Sequence, residues 1–539
     1  FGLFCAILLT QMQPEQIFSL DEALRQRVVD ESGTLQNDVT VLEDLYGYLT
    51  DQIMPNVFPA SWYNDDAFTT AESGYILNYN KLVGGLLIVQ ERGTATSPCR
   101  EPYYPGFRSA YEDFYPKCYS NTRMEDPIPL KNRTYDNVTS CPNAVPWSPG
   151  VAAPPDAVNA TRSDSAYGNF WASFCYDESY GGFAAFLALA DGSALNAKKV
   201  AWLQQFKWLD RHTRRVAVKF AVYNGYFQYF LFVRVDLQFD VAGVWLPFGM
   251  DDGATVKIKA VRLEPYRIGP QYREGALLES DAVLLVLESL FIVLLTIQVS
   301  ILLRSLTAVT LREGWAGREK IDRQTGELVS LGGLRGQLMD PFILIDVVNL
   351  SLLCVYVYLR IAYLLLLLNP DNIIKVPSNR YERVLETAAG LVEGQYYINF
   401  TNIVLMLIRC FKYYRFQPRL AIINKTLSIA AIDLLHFVIM FVTVFVAYAV
   451  MANILFGTEI NNFSTLYRSI TTLFIWVLVG GAPTYYAQIT HVAPTMAFVF
   501  YLTFMLLVFV VLMNLLLAIL VDAYSDAMKE IKLKYAPAA

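Results

Sequence analysis

The sequence predicts a polytopic α-helical membrane protein carrying a large α+β domain outside the bilayer, and three observations lead there. Of 539 residues, 54% are hydrophobic and only 17% are charged, too few charges for a soluble chain of this size. Apolar runs long enough to cross a bilayer as helices recur at 282–306, 342–368, 434–456 and 494–521. Ahead of them lies a polar stretch, 12–280, that is patterned as helices and strands rather than as a linker.

Two weaker runs complete the set. Residues 1–11, FGLFCAILLTQ, read as the outer end of a first transmembrane helix. Residues 396–416 read as the fourth, less hydropathic because they carry Arg409, Lys412 and Arg415. The expectation is therefore six crossings. Arg312, Arg318, Lys320, Arg323 and Arg335 follow the second crossing, Arg419 and Lys425 follow the fourth, and Lys529, Lys532 and Lys534 follow the sixth. Short basic loops stay cytosolic, so residues 12–280 face the outside or a lumen.

The content of 12–280 agrees with that side. Acidic residues outnumber basic ones there, and it holds Cys99, Cys118, Cys141 and Cys175. An even cysteine number in an oxidising compartment suggests disulfides, with several connectivities open; proximity favours Cys99–Cys118 and Cys141–Cys175. Glycosylation sequons begin at Asn132, Asn137 and Asn159. A further sequon, Asn349-Leu-Ser, falls inside a membrane run where a glycan has no place.

Within this domain, helical periodicity over 20–49 nominates Leu24, Val28, Leu35, Val39, Leu42 and Leu45 as buried. RVAVKFAVY (215–223) sets Val216, Val218, Phe220 and Val222 on one face of a strand. YFLFVRVDLQF (229–239) and TVKIKAVRLE (255–264) read as further strands, so an antiparallel sheet with helices packed on it is expected.

Between the last two apolar runs sits LFIWVLVGGAPTYY (473–486), a short apolar helix that breaks at Gly480-Gly481. Backbone carbonyls cannot be left bare in hydrocarbon, so a broken helix at membrane depth is buried in protein or faces water. Several copies around an axis would aim the negative ends of such helices at a central cavity. Glycines let carbonyls replace part of an ion's hydration shell. Residues 466–478 thus read as a re-entrant pore helix and Val479, Gly480 and Gly481 as a selectivity filter, a voltage-gated-like channel fold. The domain plan is 1–11, end of the first helix; 12–280, outer domain; and 281–416, a voltage-sensor-like set of the second to fourth helices. It continues with 417–433, a linker helix; 434–525, the pore domain; and 526–539, the start of a cytosolic tail.

Several motifs in order give this chain a resemblance. Asn78-Tyr-Asn-Lys-Leu-Val-Gly, Trp208-Leu-Asp-Arg, Thr213-Arg214 and Val222-Tyr-Asn224 resemble the extracellular domain of channel-forming polycystins, a branch of the transient receptor potential cation channels. Phe456-Gly-Thr, Asn462-Phe-Ser-Thr465 and Asn514-Leu-Leu-Leu-Ala-Ile-Leu-Val-Asp522-Ala-Tyr-Ser525 extend the match through the membrane half. The resemblance implies a homotetramer or mixed polycystin tetramer, a calcium-permeable non-selective cation channel, and a ciliary or plasma membrane address. Permeant Ca2+, Na+ and K+ are then the only cofactor-like species. By the same resemblance Leu517 and Val521, one helical turn apart, match the lower gate, where Val521 replaces a usual Asn. The family usually places an acidic residue directly after the filter glycine, and this chain has Gly481 there.

Arg409 and Lys412 in the fourth crossing need partners, since charges inside a membrane helix are costly. Asp346 in the third crossing and Glu288 in the second are the candidate counter-charges, either in a reduced voltage-sensor-like module or as a structural ion pair. An enzyme is poorly supported: the only histidines are His212, His436 and His491, and no catalytic motif appears. No basic block suggests nucleic acid. A rival reading makes the protein a membrane anchor or sensor whose outer domain binds matrix or a ciliary surface protein, with little conduction.

Overall fold

The computed structural model describes residues 2–12, 14–29, 42, 44–62, 64–69, 72–96, 118–123, 173–174, 176–239, 255–262, 282–315, 318–321, 328–331, 333–338, 341–372, 374, 380–413, 418–479 and 483–534. They form two compact units, one of Phe1–Met339 with Val347–Ile403 and one of Asp340–Asp346 with Val404–Ala539.

The first unit is built on one antiparallel sheet. Its strands are β1 (Tyr75–Ile76), β2 (Asn80–Thr96), β3 (Cys118–Arg123), β4 (Tyr176–Asp177), β5 (Gly182–Ala188), β6 (Thr213–Asn224), β7 (Tyr229–Gln238) and β8 (Thr255–Val261). The order is β4-β5-β2-β6-β7-β8, with β1 and β3 paired to β2. Helix α1 (Gly2–Met12) leads into α2 (Pro14–Val29), and one face of the sheet packs on α2 together with Asp44–Gly47, Met54–Val57 and α3 (Gly192–Gln205). Val216, Val218, Phe220 and Val222 all reach into that core, as the alternation in β6 requires. Leu24 and Leu45 are buried there too, while Leu35 and Val39 lie outside the described residues.

The opposite face is covered as well. Val83, Ala221, Phe230, Phe232 and Val261 pack against Tyr363 of α5 (Pro341–Leu368) and Leu385, Ala388 and Ala389 of α6 (Arg383–Tyr413). A sheet buried on both faces reads as nearly continuous apolar sequence. That is why β2, NKLVGGLLIVQERGTAT, carries no clean alternation. Lys219, on this second face, pairs with Glu386 of α6 at 2.6 Å, and Tyr381 donates to the same carboxylate at 2.8 Å. Burial, and then the Glu386 charge, push the Tyr381 phenol well above its ordinary range.

The motif residues are packing residues. Asn80 and Asn224 face each other across β2 and β6 and share a 2.8 Å side-chain hydrogen bond. Trp208 is fully buried and donates its indole N–H to the Ser173 carbonyl at 2.8 Å. Asp210 holds the buried Arg92 at 2.8 Å. A further helix of this unit, α4 (Ala282–Glu313), packs on α1 and α5 through Phe4, Phe291 and Tyr356.

The second unit contains α7 (Pro418–Phe456), α8 (Leu466–Val479), α9 (Pro483–Val492), α10 (Pro494–Phe504) and α11 (Met513–Lys534), with a π-helical segment Met505–Leu512 joining the last two. The linker helix expected at 417–433 is continuous with the fifth crossing in α7, because no Gly or Pro interrupts the run after Pro418. The helix α9 was not expected: Pro483 reads as a breaker in sequence but occupies the first helical position, where its missing N–H costs nothing.

Gly85 marks the tightest strand contact. A Cβ there would sit 2.2 Å from the Leu187 carbonyl oxygen. Gly85→Ala is expected to lower the stability of the sheet domain by about 1–3 kcal/mol or more, read as an earlier thermal unfolding transition. Gly225→Ala, whose nearest contact would be an ordinary 3.8 Å, should leave it unchanged.

Candidate functional site

The membrane half is organised around α8, a 14-residue apolar helix too short to cross a bilayer. Ser469, Thr472, Leu473, Trp476 and Val477 are buried, while Phe474, Ile475, Leu478 and Val479 on the other side are exposed. The buried side joins Phe445, Tyr448, Ala449, Ala452 and Phe456 of α7 and Ala497, Phe500 and Phe504 of α10. Trp476 is central, edge-on to Phe463, Tyr501 and Phe504 with ring centroids 5.6–6.0 Å apart.

Polar side chains fix the entry of α8. Asn453 donates to the Phe463 carbonyl at 2.6 Å, and Thr472 to the Asn462 carbonyl at 3.1 Å. Gly457 lies so close that a Cβ would meet the Asn453 and Phe463 carbonyls at 2.3 and 2.6 Å. The Phe456-Gly-Thr and Asn462-Phe-Ser-Thr465 motifs are therefore the socket of this helix.

Of the residues expected to form the filter, Val479 ends α8 and is 66% exposed; Gly480 and Gly481 lie outside the described residues. The sixth apolar run, continuous in sequence, contains the π segment Met505–Leu512 between α10 and α11. Such a segment re-aims the side chains that follow it. Leu517 and Val521, the expected gate, share one face of α11 and are 60% and 56% exposed in the single chain. Asn514 donates to the Val510 carbonyl of its own chain segment at 2.5 Å.

Among the voltage-sensor-like residues, Arg409 and Asp346 form an ion pair at 2.8 Å, both largely buried. The side chain of Lys412 lies outside the described residues. Glu288 was assigned in sequence to the cations of the fourth crossing; the structure pairs it with Arg360 of α5 at 3.1 Å, and Gln11 also donates to it. Arg360 and Gln11 were missed, although Arg360 stands alone in the apolar run VYVYLRIAYLLLL and a charge in such a run is itself the signal. Asn349, dismissed as a sequon without use, is fully buried and donates to Asn402 of α6 at 3.3 Å. Cys99, Cys141, Cys175, Asn132, Asn137 and Asn159 lie outside the described residues, and of Cys118 only the backbone, at the start of β3, is described.

Among the described residues four helices, 282–312, 343–368, 425–456 and 494–529, are long and apolar enough to cross a membrane. The class is thus a polytopic membrane protein with a sheet domain inserted ahead of its long apolar helices. Comparison with known proteins identifies the family. A family model described as Polycystin domain matches residues 36–250, and one described as Polycystin cation channel matches residues 341–527. The chain is 24% identical to Polycystin-2 of Danio rerio over 90% of this chain and 46% of that protein. It is 23% identical to Polycystin-2-like protein 1 of Homo sapiens over 93% of this chain and 53% of that protein. Polycystin-2 of Caenorhabditis elegans is 23% identical over 66% of this chain and 43% of that protein. The chain belongs to the polycystin cation channel family, and it spans about half the length of the first two of these relatives.

Breaking a buried ion pair leaves one charge behind and costs more than the pair contributes. Asp346→Asn is expected to destabilise the protein by about 3–5 kcal/mol, and adding Arg409→Gln should recover part of that loss. Thermal unfolding of both variants in detergent, compared as a double-mutant cycle, measures the coupling.

Proposed function

We propose that this chain is the subunit of a tetrameric, non-selective cation channel, homomeric or mixed with other polycystins, passing Ca2+, Na+ and K+. The observation that carries the reading is α8. A helix too short to span, seated by one side on α7 and α10 and exposed at its C-terminal end, supports a re-entrant pore helix. In this reading the chain has six crossings, with α1 and α6 added to the four membrane-length helices. Carbonyls of Val479, Gly480 and Gly481 replace water around the ion. The exposed apolar pair Leu517 and Val521 forms rings that close the pore by dewetting. The ion pair of Arg409 with Asp346 supports a voltage-sensor-like bundle whose response to voltage is weak. The protein sits in a ciliary or plasma membrane, with its sheet domain available to a surface partner.

The filter carries no acidic side chain. Between Gly457 and Pro494 the sole carboxylate is Glu459, ahead of α8, so selection rests on carbonyl dipoles rather than on a ring of carboxylates. A low preference for divalent ions follows.

Reconstitution of the purified protein in planar bilayers tests the reading. Cation current abolished by Gly480→Trp supports the channel; a folded protein with no current in any condition favours the anchoring role. Leu517→Asn should raise basal current several-fold, and unchanged current would remove Leu517 from the gate. Gly481→Asp should shift reversal potentials toward calcium under bi-ionic conditions.

A further inference from the structure

Among the described residues of 14–262, the exposed large apolar side chains are Phe18, Tyr79 and Tyr226, at 67%, 71% and 84%. Single exposed apolar residues are ordinary on a protein surface. These three are all aromatic, and they gather at one end of the sheet. Asn80 and Asn224 are partners across β2 and β6, so Tyr79 and Tyr226 stand in adjacent turns just past that pair. Phe18 follows Ile17 in α2, and Ile17 lines a small cavity with Tyr229, the first residue of β7, and Arg262, just past the end of β8.

The two turns hold their rings in place. The Asn224 amide donates to Asn80 Oδ1 at 2.8 Å, and its own oxygen accepts the backbone N–H of Tyr226 and of Phe227, both at 3.0 Å. Phe227 meets Tyr226 edge-on, with ring centroids 5.1 Å apart. In the other turn the Tyr79 N–H donates to the Leu77 carbonyl at 2.7 Å, and Leu77 and Asn78 have positive φ values of 52° and 65°. Residues other than glycine keep such backbone only where the surroundings fix it.

This end of the sheet lies at the outer limit of the apolar helix surface. The Tyr363 hydroxyl of α5 donates to the Arg262 carbonyl at 2.6 Å. The Arg262 guanidinium in turn lies 5.2 Å from the ring of Tyr229, where the 225–228 turn ends. Tyr363 belongs to the membrane-length helix 343–368, about 7.5 Å short of its end. Beyond it Leu365 and Leu368 are still largely exposed, so the apolar coat of α5 runs to its last residue. On α4 the exposed apolar side chains begin at Val283, the second residue of the helix. The turns therefore stand at the level where hydrocarbon gives way to headgroups. Tyrosine, with an apolar ring and a polar tip, is enriched in that layer.

We propose that Phe18, Tyr79 and Tyr226 seat the outer domain on the phospholipid headgroup layer. The rings lie among the glycerol esters, and the two tyrosine hydroxyls bond phosphate and ester oxygens. Rings rather than cations make the contact, so zwitterionic phospholipid suffices. The seat braces the turns of β2 and β6 on the bilayer whether or not the chain conducts.

The full chain is placed in phosphatidylcholine nanodiscs doped with a phosphatidylcholine carrying a diazirine at the glycerol end of one acyl chain. After irradiation and digestion, adducts are mapped by mass spectrometry. Segments 16–20, 77–81 and 225–229 should carry adducts at yields comparable to segment 282–286. The 210–213 turn, roughly 35 Å away along β6, should carry none. Tyr79→Ser, read over 225–229 where the sequence is unchanged, should lower labelling several-fold while 282–286 stays as in wild type. An exposed ring is removed, so thermal unfolding should not move. Labelling of 282–286 without 77–81 and 225–229 overturns the proposal, as does labelling over 225–229 that Tyr79→Ser leaves unchanged. Cross-links from Tyr226 to a second copy of the chain in place of lipid adducts would assign the turn to a subunit contact and overturn it too. The readout needs no ion current, so it stands apart from the channel reading.

Discussion

A polar side chain inside an apolar helix must find its partner within the protein, because hydrocarbon supplies none. The helix α5 shows how far that constraint reaches. Asp346, Asn349, Tyr356 and Arg360 follow the three- and four-residue spacing of a single helical face. Their partners are Arg409, Asn402, Gln11 and Glu288, drawn from three other helices. The remaining surface of α5 is left to Leu344, Val348, Val355, Ile361 and Leu365, all exposed and apolar. One stripe of polar contacts therefore orients the helix, and the apolar remainder suits a lipid-facing surface.

The same logic joins the sheet to the helices of its unit. A sheet with a solvent-facing side would have carried polar residues there. Instead β6 presents Ala217, Lys219 and Ala221 to its second side, small residues flanking one long cation. Ala221 lets Leu385, Ala388 and Ala389 of α6 approach, and Glu386 meets the Lys219 charge. At Gly84-Gly85 the register of β2 against β6 shifts, and Gly84 adopts a positive φ of 75°. A bulge of this kind bends a long strand without ending its pairing. The first unit is in this way one continuous piece, with the sheet sharing cores with helices on either side.

Much of this was legible in the sequence where the signal is local. The strand patterns at 215–223, 229–239 and 255–264 correspond to β6, β7 and β8 within a few residues of their ends. The strand β2 was recognised only as a motif, because burial of both faces erases alternation and its glycine pair resembles a turn. Motif residues that marked the family turn out to hold the structure: the Asn80–Asn224 bond, the indole of Trp208, and the Gly457 contact under α8. The polar cluster of Gln11, Glu288, Tyr356 and Arg360 escaped notice, since its members are separated by up to 349 positions in the chain and only folding brings them together.

By itself, the sequence determined where the long apolar helices run, which stretch ahead of them forms the sheet domain, and that a short helix precedes a glycine break. Those features depend on length, hydropathy and period, which a run of neighbouring residues carries within itself. Tertiary structure alone decided which carboxylate meets which cation, that the sheet is covered on both faces, and that the turns carrying Tyr79 and Tyr226 stand side by side. Each of these is a choice of partner across the fold, and a linear pattern holds no record of distance between residues far apart in the chain.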